Sequence, residues 1–352
     1  MNIAEILQRQ VKERPDAPAI IDMHAGRERV TTFAGLDAAS AKGTALLREA
    51  GLVEGDTVLV FQPMSAELYI VLMALFRAGM TAMFLDPSAG REHIARCCAI
   101  RPPQALVASS KAQLLRLISP ALRHIHRHIC LSRFMPGCIP WHRADTLQPC
   151  QMVTPCTADA PALITFTSGS TGQPKAAVRS HGFLLEQHRV LERAISLTPG
   201  AVDLTTLPVF VLANLASGVT SLIPDADLRC PGKIKALPVL RQIDRHRPAS
   251  VVASPAFLEC ICGACETSER TSPAAVFTTT CRGFCRTTSR RCSAPTCCRF
   301  RRCSRCWSRR GTSIRSRPTA SSTWASAWSG SYRRRRWTRR WPLRAARDSP
   351  SA

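Results

Sequence analysis

Beyond residue 270 the sequence contains no lysine, one acid (Asp348) and three branched aliphatic residues (Val276, Ile314 and Leu343), against 20 Arg, 14 Ser and 11 Thr. With so little apolar surface, no amphipathic helix or alternating strand of useful length can be drawn there, and burial cannot offset the entropy of ordering the chain. Residues 266–352 are therefore expected to form a disordered basic tail rich in Arg, Ser and Cys. The start of the chain lacks a basic segment followed by an apolar core, because Glu5, Lys12, Glu13 and Arg14 are mixed with isolated apolar residues, and this argues against export. No apolar run is long enough to cross a bilayer: Leu68 to Phe76 is short, and Val209 to Ile223 is broken by Asn214, Ser217 and Thr220. A soluble, cytoplasmic protein is expected. Its 17 cysteines are then read as thiols in a reducing compartment and not as a disulfide framework.

What is present divides the chain in two. The formal charge of +24 is concentrated in residues 271–352, which carry +19 and leave +5 for the first 270 residues. The 352 residues are enough for two ordinary domains and a deep cleft. Residues 1–265 read as a normal α/β protein. Ile3, Ile6, Leu7 and Val11 fall at helical spacing, and Ala19 to Ile21 with Val30 to Phe33 read as two short strands. An alanine-rich helix over Leu36 to Ala50 ends at Gly51, and the apolar run Val58 to Phe61 is a buried strand. Ser65 is placed to cap a helix over Ala66 to Ala78 that stops at Gly79, after which Met80 to Leu85 reads as a strand closed by Asp86-Pro87. Strand, helix, strand predicts a parallel sheet with binding loops at the carboxyl ends of its strands. In the proline-broken stretch 100–156 one strand, Ala105 to Ala108, is expected within a long irregular connection.

The chemistry lies after the strand Ala162 to Phe166, where Thr167, Ser168, Gly169, Ser170, Thr171, Gly172, Gln173, Pro174 and Lys175 follow one another. Glycines let backbone N–H groups approach an anion, hydroxyls donate further hydrogen bonds, and Lys175 adds a point charge, so the loop is a phosphate grip. It is not a Walker loop. That loop runs into a helix at its lysine, whereas Pro174 has no N–H, disfavours helix at Gln173 and precedes an extended Ala176 to Val178. The segment should turn between two strands.

These nine residues resemble the signature loop of the adenylate-forming superfamily, which includes acyl-CoA synthetases, fatty acyl-AMP ligases and nonribosomal adenylation domains. Other segments resemble the same family in order: Thr31 to Leu36, Gly55 to Val58, Ala74 to Gly79, Leu85 to Ser88, Leu207 to Phe210 and Val252 to Pro255. The resemblance implies an α/β fold, the amino-terminal part of an adenylation domain over residues 1–265, with parallel-rich sheets flanked by helices. It also implies a reaction in which a carboxylate attacks the α-phosphate of ATP to give an acyl adenylate and pyrophosphate, with Mg²⁺ offsetting the phosphate charge and CoA or another thiol as acceptor. Thr167, Ser168, Gly169, Ser170, Thr171, Gly172 and Lys175 would bind the β- and γ-phosphates. His181, Phe210, Val211 and Asn214 are the candidates for the substrate pocket. The context Leu207 to Pro224 most resembles the β-lactone-forming synthetases of bacterial olefin biosynthesis, which points to a fatty or β-hydroxy fatty acid. No catalytic residue or protein metal ligand can be assigned.

The family would continue past Cys265 with an adenine-binding turn, a magnesium carboxylate, a ribose-binding Asp and a catalytic lysine. No Glu follows Glu269 and no Lys follows Lys235, so these roles have no candidates and the chain is expected to be inactive. GC-rich codons read out of register yield Arg, Ser, Thr, Cys and Trp, and five of the six Trp lie in the tail. A frameshift near residues 260–275 is the expected origin. Two other readings compete for this segment. Arg333 to Arg336, Arg339 and Arg340 beside Trp337 and Trp341 could attract nucleic acid nonspecifically. Cys303-x-x-Cys306, Cys297-Cys298 and Cys260-x-Cys262-x-x-Cys265 have the look of zinc knuckles but lack a second correctly spaced pair.

Overall fold

The structure is a computed structural model in which residues 2–86, 89–132, 135–168 and 173–268 are described. They all belong to the first of the two units into which the chain divides, Met1–Arg315. The loop residues Gly169 to Gly172, the Pro87-Ser88 strand end, and the arginine and zinc-knuckle motifs beyond residue 268 lie outside the described residues.

In chain order the elements are α1 (Ala4–Glu13), β1 (Pro18–His24), β2 (Arg27–Thr32), α2 (Phe33–Glu49), β3 (Thr57–Phe61), α3 (Ala66–Arg77), β4 (Thr81–Phe84), α4 (Arg91–Ile100), β5 (Ala105–Ala108), α5 (Ser110–Gln113), α6 (Pro120–Arg123), β6 (Arg127–Cys130) and β7 (Ile139–Pro140). They continue with β8 (Pro161–Ser168), β9 (Pro174–Ser180), α7 (His181–Ile195), β10 (Val202–Thr205), α8 (Pro208–Ser217), β11 (Thr220–Leu222), α9 (Ala236–His246), β12 (Ser250–Val252) and α10 (Pro255–Ser268). Among the described residues these strands form two sheets, ordered β12-β10-β11-β1-β2 and β7-β6-β5-β3-β4-β8-β9. Pairing is parallel throughout except for β1 with β2 and β8 with β9.

Strand β3 shows why the layers form. All five of its residues are buried, and its side chains alternate between two cores: Val58 and Val60 pack in one cluster, Leu59 and Phe61 in another. The first cluster joins α1, α2 and α3 to β1 and to one face of the seven-stranded sheet. The second lies on that sheet's opposite face with Ile94 and Cys97 of α4 and Leu122 of α6. A third packs α9 and α10 through Val239, Ile243, Phe257 and Ile261 against Ile21, Leu204 and Leu222. Both sheets are therefore covered by helices, as expected of parallel strands.

Two local expectations are refined. The helix after β3 begins at Ala66 as read from the sequence, but the Ser65 side chain makes no cap bond. Its place is taken by Asp22 of β1, whose Oδ2 accepts the Ala66 N–H at 2.8 Å while its carboxylate is held by Arg29. Arg29 also pairs with Glu67 in the first turn of α3. Burial alone would raise the Glu67 pKa, but hydrogen bonds from Arg29 prevail and hold it at about 2. The same cluster thus fastens the five-stranded sheet to the helix that leads into β4. The stretch 100–156 contains more order than its prolines suggested, for β6 and β7 extend the sheet beyond β5. Gly79, at φ +72°, ends α3 in the left-handed conformation that a side chain resists.

Candidate functional site

Strands β8 and β9 form an antiparallel hairpin in which Thr167 stands opposite Lys175 and Ser168 opposite Pro174. The strands on either side of Gly169 to Gly172 are therefore paired with each other, as expected from the extended residues after Pro174. On its other side β8 pairs in parallel with β4, Thr165 beside Phe84. The tip thus emerges at the carboxyl edge of β3, β4, β5 and β8, the edge where parallel sheets present ligand loops. Thr167 and Lys175 are both exposed, and no described carboxylate pairs with the Lys175 ammonium. A hydroxyl and a cation face solvent side by side at the mouth of a loop of glycines and hydroxyls. Such a set can receive phosphoryl oxygens.

The pocket candidates do not gather around that tip. His181 follows β9 at the opposite end of the hairpin, six residues or about 20 Å from Lys175 at the strand rise, and it is fully buried. Its Nδ1 accepts the Ile3 N–H at 3.2 Å, and its ring meets Phe76 edge-on with centroids 6.0 Å apart. Burial pushes its pKa down to about 4, so the imidazole is neutral. His181 thus lies buried at the base of the hairpin, with its Nε2 left without a hydrogen-bond partner among the described residues. Val211 and Asn214 are likewise fully buried and line no water-accessible surface. Val211 packs in the cluster between the sheets. Asn214 donates through Nδ2 to Asp203 Oδ2 at 2.9 Å and to Ser221 Oγ at 3.1 Å, and Ser250 Oγ donates to Asp203 Oδ1 at 2.6 Å. That network ties α8 to β10, β11 and β12, and burial raises the Asp203 pKa. Phe210, by contrast, is half-buried and sits in the first turn of α8, whose Pro208 carbonyl accepts the buried Tyr69 hydroxyl at 3.3 Å.

The sequence reading passed over one more residue on the hairpin. Arg179 of β9 is half-buried and donates through Nη1 to Thr165 Oγ1 at 2.7 Å. Burial lowers its pKa. The signal available in the sequence was a second basic residue four positions after Lys175, which strand alternation places on the same face.

Among the described residues no group of three or more His, Cys, Asp or Glu is arranged to hold a metal, and no helix is long and apolar enough to cross a membrane.

A two-sheet α/β domain that presents a hydroxyl-glycine-lysine hairpin at the carboxyl edge of its larger sheet defines the class, and comparison gives it a family. The chain belongs to the AMP-binding enzyme family, whose model matches residues 7–310, a match that runs past the compositional break at residue 265. It is similar to the olefin β-lactone synthetase of Xanthomonas campestris pv. campestris, with 31% identity over 267 residues covering 73% of this chain and 48% of that protein. Its fold resembles that of apo MbtA from Mycobacterium smegmatis, with a TM-score of 0.64 at 22% identity over 75% of this chain and 50% of that one. It also resembles the fatty acyl-adenylate ligase of L. pneumophila solved with acyl adenylate and pyrophosphate, with a TM-score of 0.56 at 18% identity over 71% and 44% of the two chains. The chain spans about half the length of the curated relatives it matches.

Proposed function

We propose that residues 1–265 are the nucleotide-phosphate-binding part of an enzyme that activates a carboxylic acid with ATP to an acyl adenylate, the acid being a fatty or β-hydroxy fatty acid. The observation that carries this reading is the pairing of exposed Thr167 with exposed Lys175 across the mouth of the loop. The loop would hold the β- and γ-phosphates, Lys175 countering their charge as the pyrophosphate develops. Family membership and the likeness to a β-lactone synthetase support the reaction class and the choice of acid. Phe210 is the most exposed of the candidate acyl-chain contacts, with the buried His181, Val211 and Asn214 as the others.

The family uses ATP, usually with Mg²⁺. The exposed donors at the hairpin tip suit the polyphosphate. Mg²⁺ would be held chiefly by the nucleotide's own phosphoryl oxygens, as is common for this ion. CoA or another thiol is the proposed acceptor in the complete reaction, and the cytoplasm its setting. Residues 266–352 offer no Lys, and no Glu beyond Glu269, so we further propose that this chain alone binds nucleotide but forms no adenylate, its reading frame having shifted near residues 260–275.

The test combines calorimetric titration with ATP and ATP–pyrophosphate exchange in the presence of β-hydroxy fatty acids. Binding without exchange is expected. Failure to bind ATP overturns the loop assignment, and exchange at an ordinary rate overturns the inactivity. Translation of the other reading frames downstream of codon 255 should reveal a Gly-rich, Thr-Glu-containing continuation, and its absence from both would dismiss the frameshift.

A further inference from the structure

Along β9 the side chains of Lys175, Ala177 and Arg179 share one face, and across the hairpin they stand opposite Thr167, Thr165 and Leu163. Leu163 packs with the cluster between the two sheets, as does Phe84 beside Thr165, so this is the inward face of the seven-stranded sheet. Arg179 lies on it without a counter-charge: among the described residues no carboxylate pairs with its guanidinium, and Thr165 is its one hydrogen-bond partner. Arg116 is likewise half-buried without a carboxylate but donates to Cys138 Sγ and the Pro136 carbonyl, whereas two other partly or fully buried guanidinium groups are matched by acids. Arg77 has Asp37 at 2.9 Å, and Arg29 has Asp22 and Glu67. A cation partly withdrawn from water gains from an anion that completes it, and the planar guanidinium suits phosphoryl oxygens in particular.

The bond to Thr165 brings the guanidinium to the level of Thr165 and Ala177, two residues or about 7 Å from the Thr167–Lys175 row at the strand rise. On β9 only the Ala177 methyl stands between the two cations. A triphosphate whose outer groups occupy the tip has its innermost phosphoryl group one row further down. We propose that Arg179 binds the α-phosphoryl group of the nucleotide, an inference that rests on the Thr167-to-Lys175 loop holding the outer two. Lys175 and Arg179 then divide the triphosphate, a point charge at the exposed tip and a planar fork at the group the carboxylate attacks.

ATP and inorganic pyrophosphate separate these roles, because pyrophosphate has no α-phosphoryl group beyond those the tip would hold. The chain and its Arg179→Gln, Arg179→Lys and Lys175→Gln variants are titrated calorimetrically with each ligand in Mg²⁺ buffer. Arg179→Gln should weaken ATP about tenfold, the scale of a charge-assisted hydrogen bond, and leave pyrophosphate within about twofold. Lys175→Gln should weaken both. If Arg179→Gln fails to fold, Arg179→Lys carries the test, with a loss of about threefold that is confined to ATP because the charge stays and the fork goes. Equal loss of both ligands, or of neither, overturns the role of Arg179 while the effect of Lys175→Gln leaves the loop assignment standing. If the unmodified chain binds neither ligand, the loop assignment fails and takes this inference with it.

Discussion

The two ends of the β8–β9 hairpin are built from neighbouring sequence and serve opposite purposes. At the tip, Thr167 and Lys175 are exposed and no described side chain claims the ammonium. At the base the backbone groups are engaged: His181 N–H and Gly182 N–H donate to Ala160 and Ala158 carbonyls at 3.0 and 2.8 Å, Ser180 caps α7, and the His181 ring lies against Phe76, although its Nε2 meets no partner among the described residues. Gly182 is required there, since a Cβ would come within 2.9 Å of the Ala158 carbonyl oxygen. Polar residues in one short motif therefore cannot be read as one site. Those whose hydrogen bonds are filled from within the fold hold the strand in place, and those left open to solvent at a strand end are the ones proposed to bind phosphate.

The contrast breaks most severely if the base is hollowed. Phe76 is fully buried against His181, so Phe76→Ala should cost about 3–5 kcal/mol, read as a lower urea midpoint. A loss under about 1 kcal/mol would show that the base is not the rigid part. At the tip the expectation reverses. Lys175→Gln should remove roughly 1.5–3 kcal/mol of nucleotide binding, while its unfolding midpoint stays within about 0.5 kcal/mol of the unmodified chain because the side chain is exposed. A large stability change in that variant would mean that Lys175 is structural.

How far this division could be read in advance differs between the ends. The strands flanking the loop, the buried runs at Val58 to Phe61 and Ala105 to Ala108, and the stop at Gly79 were legible because each depends on residues adjacent in sequence. The hairpin that carries the loop was legible for the same reason. What escaped depends on partners far along the chain. Asp22 caps a helix that begins 44 positions later, and His181 is claimed by Ile3 from the far end of the domain. The bonds from Asn214 Nδ2 to Asp203 and Ser221 come from two strands and could not be read locally. Strands β6 and β7 were obscured by the prolines around them, and Arg179 gained meaning only when the register fixed its face.

A smaller effect should appear as pH falls. His181 has a folded pKa of about 4, below its ordinary 6.5, because burial disfavours the imidazolium. The unfolded chain therefore binds this proton first, and stability should decline as pH drops from about 6.5 toward 4, with no contribution above that window. Between pH 7 and 5.5 the loss is on the order of 1 kcal/mol. Denaturation midpoints at the two pH values, compared with those of His181→Gln, isolate it: the variant should be less sensitive to pH, and an unchanged dependence would remove His181 as the cause.

The smallest expected change tests whether base and tip are separable at all. Ser180 Oγ accepts the Phe183 N–H at 3.2 Å and caps α7. The contact is exposed, which places Ser180→Ala at the low end of cap substitutions, about 0.5–1 kcal/mol. Because Ser180 is paired with Pro161 and not with the loop, the loss should register in the unfolding midpoint and leave ATP affinity untouched. If affinity falls in step with stability, the hairpin moves as one body, and the open tip then depends on the closure of its base. If affinity holds while the midpoint drops, the strand pairing between Leu163 and Thr167 isolates the loop from strain at the helix start, and the two ends can be altered independently.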